Sequence, residues 1–127
     1  MNETELIQML FQNLIAAELF LFPQQGRLNI TNQHGVYIIY NPQRVVSHIG
    51  NTTRGLNGLK QRLNNHIGNA SSFAQDYLLP QGLTVRMGYS FKFLVVEDPR
   101  HRMLTQALSI GILCPQHIGT HQNVQQA

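Results

Sequence analysis

Only one cysteine, Cys114, occurs in the 127 residues, which excludes an internal disulfide framework and points to a reducing, cytoplasmic setting. No apolar run approaches the ~20 residues of a membrane span, and the opening residues, Met-Asn-Glu-Thr-Glu, are acidic where a secretory signal is basic. A soluble protein with no membrane partner is expected. Carboxylates are also few: six in the whole chain, which leaves a metal-dependent enzyme little from which to build its site. The length suits one domain with a core of ordinary size.

What charge there is lies unevenly. Residues 1–34 carry Glu3, Glu5 and Glu18 against Arg27, whereas residues 35–104 carry eight Lys and Arg against Asp76, Glu97 and Asp98, a net +5. A basic middle suits a polyanionic partner, and Arg44, Arg54, Lys60 and Arg102 are its candidate nucleic-acid-binding residues. Many ordinary domains carry as much positive charge.

Helical spacing of Leu6, Leu10, Leu14, Ala17 and Leu21 predicts an amphipathic helix over 3–21, stopped by Pro23. Its apolar end, LFLFP, would cap the domain or pair with a second copy as a homodimer. A polar connector follows, with a short edge strand at Leu28–Ile30. GVYIIY and RVVSHIG, rich in β-branched and aromatic residues, flank a tight Asn41-Pro42-Gln43 turn and predict a hairpin. Pairing Asn41 with Arg44 sets Tyr37 opposite His48 on one face, and a one-residue slip would part them.

Residues 55–67 are expected to be helical, with Leu56, Leu59, Leu63 and Ile67 as the buried stripe and Arg62 and His66 together beside it. Gly55 and Gly58 are small enough to admit another backbone. A short helix at Ser71–Leu79, a strand at 89–97 and a last helix from Pro99 to about Leu113 complete the reading. Glu97 and Asp98 then cap that helix. The tail from Gly119 is polar.

Taken in order, these residues resemble the GIY-YIG nucleases. Gly35-Val36-Tyr37 stands as the first triplet, His48-Ile49-Gly50 as the second with ten residues between them, and Thr52, Arg62 and His66 follow, then EDPRHRMLTQALSIGILCP. The resemblance covers about residues 35–118, leaving 1–34 as an N-terminal helix and connector and 119–127 as a tail. It implies an α+β fold, a small three-stranded antiparallel sheet flanked by helices, that hydrolyses DNA phosphodiester bonds with one divalent metal, Mg²⁺ or Mn²⁺. The partner implied is double-stranded DNA. In that frame Tyr37 helps to deprotonate water, for which its phenol, of ordinary pKa near ~10, needs a nearby cation. Arg62 supplies that charge and steadies the phosphorane, His66 donates to phosphate or shuttles a proton, and His48 stands where tyrosine is usual.

One departure bears on activity. The family's metal-binding glutamate falls at Gln106, an amide of similar shape but no charge, and hard cations depend on anionic oxygen. The expectation is an endonuclease domain inactive or weakened in this form, or, alternatively, a nucleic-acid-binding module of the same fold. A protein-interaction role for the N-terminal helix ranks third. Cys114, His117 and His121 also have a spacing that superficially suits zinc, without a fourth ligand.

Overall fold

The computed structural model describes residues 1–53 and 57–119. In chain order it has α1 (Glu3–Ile15), β1 (Phe20–Leu21), β2 (Gly35–Tyr40), β3 (Val46–Asn51) and α2 (Leu59–Ile67). A π-helical turn (Phe73–Leu78), a 3-10 turn (Leu79–Gln81), β4 (Ser90–Val95) and α3 (Pro99–Leu113) follow. The strands form one antiparallel sheet in the order β1-β4-β2-β3. The class is α+β, as expected, but with four strands rather than three.

The additional strand comes from the sequence expected to finish the first helix. Asn2 and Glu5 form a reciprocal cap that starts α1, yet the helix ends at Ile15. Phe20 and Leu21 then pair with the open edge of β4, where the Phe20 ring stacks on Phe91 and Phe93. Burial of aromatic area against the sheet outweighs a weak local helix preference. The buried positions of α1 are Ile7, Phe11 and Leu14, a stripe shifted from the expected one. Leu28–Ile30 is not a strand; Leu28 is instead held by the Asn64 side chain, which accepts from its N–H (2.9 Å) and donates to its carbonyl (3.1 Å).

Both faces of the sheet are covered. Tyr37, Ile39 and Phe91 meet Leu59, Leu63 and Ile67 of α2 with Phe73, Leu78 and Val85 on one side. Val36, Ile38 and Ile49 meet Leu14 of α1 and Ile110 and Leu113 of α3 on the other. The central strand β2 is therefore apolar almost throughout.

Asn41 shapes the hairpin turn, its side-chain oxygen accepting from the N–H groups of Gln43 and Val45, with Arg44 in a left-handed conformation (φ 65°). The turn closes one residue later than expected, Asn41 N–H donating to the Val45 carbonyl, and a bulge between Ile39 and Tyr40 adds one more, so Tyr37 lies opposite Gly50 and Ile39 opposite His48. Two residues preserve the face, and Tyr37 and His48 remain on the same side.

The second helix begins at Leu59, later than expected; Gly55 and Leu56 lie outside the described residues. Gly58 precedes it where a Cβ would come within 2.3 Å of the carbonyl oxygens of both Asn32 and Gln33. The expected helix at 71–79 is a π-helical turn running into a 3-10 turn around Pro80. Asp98 caps α3 as expected, accepting from Arg100 and His101 N–H. Glu97 accepts instead from Gln33. Of the tail, residues 120–127 lie outside the described residues, and no described helix is long and apolar enough to cross a membrane.

Candidate functional site

Three of the singled-out rings converge behind the hairpin. Tyr37 on β2, His48 on β3 and His66 on α2 are 2%, 9% and 1% exposed. Tyr37 Oη lies 2.8 Å from His66 Nε2, and His66 Nδ1 lies 2.7 Å from Ser71 Oγ, which also accepts the Ala74 N–H. His48 stacks on Phe73, with ring centres 4.8 Å apart, and its Nδ1 meets His117 Nδ1 at 3.1 Å. One of those two nitrogens carries a proton and the other does not, so the two imidazoles hold complementary tautomers.

Burial governs their chemistry. Desolvation raises the Tyr37 phenol above its ordinary pKa, and the nearby Arg62 charge offsets that only in part. Burial, reinforced by His117 and Arg62, holds His48 down at about 3. His66 is lowered well below the ordinary value, first by burial and then by His48, Arg62 and His117. A buried phenol and neutral imidazoles make a packed network; a general base needs easier ionisation and access to water.

The glycine of the second triplet exists for this packing. A Cβ on Gly50 would sit 2.3 Å from Tyr37 Oη and 2.5 Å from Cζ. Tyr37 is buried and tied to His66, so it has nowhere to swing. Gly50→Ala should cost about 1–3 kcal/mol of unfolding free energy by overpacking. Adding Tyr37→Phe, which deletes the closest atom, should restore part of it in urea denaturation. Equal stability of Gly50→Ala and the parent would show that the ring is not clamped.

Arg62 is the one member of the set that opens outward. It lines a polar cleft of about 170 Å³ with Thr52, Thr53, Asn57, Gln61 and Asn65. No carboxylate among the described residues pairs with its guanidinium. Tyr37, His48 and His66 do not line that cleft.

Gln106 stands apart from the rings, on α3, which covers the opposite face of the sheet. Its amide oxygen accepts from Asn51 Nδ2 and its amide nitrogen donates to the Ile49 carbonyl at 3.2 Å. This neutral amide, with both ends engaged on β3, does not fit a divalent metal, which takes anionic oxygens. No three His, Cys, Asp or Glu side chains among the described residues are grouped to hold an ion.

The basic residues divide in the same way. Lys60 borders an adjoining cleft, but Arg44 sits in the hairpin turn, at the other end of β2 and β3 from Thr52. Arg54 lies outside the described residues. Arg102 is a correction: it is 5% exposed, and its guanidinium donates to the carbonyls of Thr52 (3.1 Å), Val96 (3.1 Å) and Glu97 (2.7 Å). It fastens β3 and the end of β4 to α3 and is not presented to a phosphate. Of the zinc spacing, Cys114 is exposed and His117 turns inward onto His48, so these two are not brought together; His121 lies outside the described residues.

Ser71, Phe73 and His117 complete the ring cluster, although no local pattern marked Ser71 or Phe73 for it and the spacing that singled out His117 pointed to zinc. Pro115 ends the last helix, and the chain then returns to the free edge of β3, where His117 N–H donates to the Ser47 carbonyl at 2.9 Å. That contact spans 70 positions of sequence, beyond the reach of periodicity. Comparison with known protein families and with curated proteins finds no match, so the resemblance rests on the motif residues themselves.

Proposed function

We propose that this chain is a nucleic-acid-binding module of GIY-YIG type whose cleavage chemistry is lost or weakened at Gln106. One observation carries the reading: the Arg62 guanidinium, which pairs with no carboxylate among the described residues, opens on a polar cleft that no described carboxylate lines. A planar cation among hydroxyl and amide groups suits a phosphodiester oxygen. The buried phenol and imidazoles support holding over hydrolysis, as does an amide where the resemblance implies a metal-binding carboxylate.

The test pairs binding with cleavage. Arg62→Ala should weaken binding of a short DNA duplex by about tenfold, the loss of one charge-assisted contact, with cooperative unfolding retained. Gln106→Glu, assayed with Mg²⁺ or Mn²⁺, separates the two classes. If it binds without cutting, the module reading stands. If it hydrolyses DNA while the parent only binds, the chain is an inactivated endonuclease. Unchanged binding in Arg62→Ala would remove the reading altogether.

A further inference from the structure

The cleft beside Arg62 does not end with α2. A second cleft, lined by Arg27, Asn32, Lys60 and Asn64, shares Asn57 and Gln61 with it, so the two form one continuous surface. Together they present three cations, several amides and two threonines. No carboxylate and no aromatic ring among the described residues lines either; Glu97 is bonded to the neighbouring segment at Gln33 but lines neither cleft.

Arg27 belongs to the connector before the first triplet, outside the stretch that carries the family resemblance, and the fold fixes that connector on both sides of it. Arg86 donates to the carbonyls of Pro23 (3.1 Å) and Gly26 (2.8 Å) just upstream. Downstream, Asn64 of α2 grips Leu28 through both its N–H and its carbonyl. Lys60 reaches Asn29 Oδ1 at 3.4 Å. The first N–H groups of α2 are already used, Leu59 donating to Gln33 and Lys60 to Thr31. An anion here would therefore be met by side-chain charge, not by the helix end.

We infer that Arg27 and Lys60 form a second phosphate subsite, which continues the Arg62 subsite along one backbone of a double-stranded nucleic acid. The inference rests on the proposed function and extends its footprint. Duplex is favoured over single strand by the lining. Sequence-tolerant single-strand binding relies on aromatic side chains as stacking platforms, whereas cations and amides serve phosphates and groove edges. Because the connector backbone on either side of Arg27 is already held, little chain freedom is lost when it engages.

The experiment titrates the full chain with a fluorescent 16-bp DNA duplex and with one of its strands, across a salt series. The parent should prefer the duplex. Arg27→Gln with Lys60→Gln should lower duplex affinity at least about tenfold at low salt and reduce the slope of log K against log salt by about 2, near 0.9 per phosphate contact. Both positions are at the surface and glutamine keeps most of the stem, so circular dichroism should be unchanged. If Arg62→Ala weakens binding while the double variant does not, the second subsite is wrong and the proposed function survives. A strand bound as tightly as the duplex overturns the duplex inference alone. If the parent binds neither, the proposed function and this inference fall together.

Discussion

Between pH 7 and pH 5 the protein should lose several kcal/mol of stability, a drop steeper than its six carboxylates can explain. In the unfolded chain His48 and His66 take up protons near their ordinary 6.5; in the fold, burial keeps His48 neutral down to about 3 and His66 neutral well below the ordinary value. Their folded values are depressed, so their contribution is fully present above about 6.5 and is lost as the pH falls. Each such imidazole removes about 1.4 kcal/mol per pH unit within that window. Against a usual total of about 5–15 kcal/mol, two of them are decisive.

The surroundings offer the charged rings little relief. Tyr37 faces the cluster from β2, Arg62 and His66 from α2, Ser71 and Phe73 from the turn that follows, and His117 from beyond α3. A hydrogen bond with the His117 backbone opposes the shift of His48 without cancelling it, and Asp76 acts only on His117, whose pKa burial nevertheless lowers. Protonating both His48 and His117 would also set two N–H groups against each other at 3.1 Å. The exposed Glu3 and Asp98, both lowered by hydrogen bonds, act only at more acid pH. Urea midpoints at pH 7.5, 6 and 5 would measure the slope. His48→Tyr, which does not titrate there, should reduce it by about one proton. A flat profile from pH 7 to pH 5 would mean that water reaches these rings.

Arg102→Ala is expected to be the most damaging single substitution, at about 3–5 kcal/mol, because it removes several hydrogen bonds from a charged donor, each worth about 1.5–3 kcal/mol, and leaves their acceptors unsatisfied. Three carbonyls, from Thr52, Val96 and Glu97, would lose their donors at once, and water does not readily replace a guanidinium that is 5% exposed. Arg102→Lys should recover only part of the loss, because a single ammonium cannot span the three acceptors as the planar fork does. Chemical denaturation would give the stability, and duplex titration the binding. A stable Arg102→Ala protein with weakened binding would return Arg102 to the nucleic-acid surface.

Much of the fold is legible without coordinates because its causes are local. The β-branched and aromatic composition of GVYIIY and VSHIGN makes strands, Asn41 and Pro42 make the turn, the Leu59-Leu63-Ile67 spacing makes α2, and Asp98-Pro99 opens α3. The candidate site was legible as a set of residues but not as a geometry. Arg62 and Arg102 look alike as basic residues on helices, yet one opens on a cleft and the other is buried among carbonyls.

By itself the sequence determined the α+β class, the hairpin, the main helices and an excess of cations over carboxylates, since each depends on residue type and on neighbours a few positions away. Only the tertiary structure decided that Phe20 and Leu21 join the sheet, that a later turn closure and a bulge bring Gly50 under Tyr37, that His117 closes onto His48, and that Arg27 lies beside Lys60. Those outcomes turn on burial and on hydrogen bonds between residues tens of positions apart, where a side chain's partner, and hence its charge state, is set by how the layers pack.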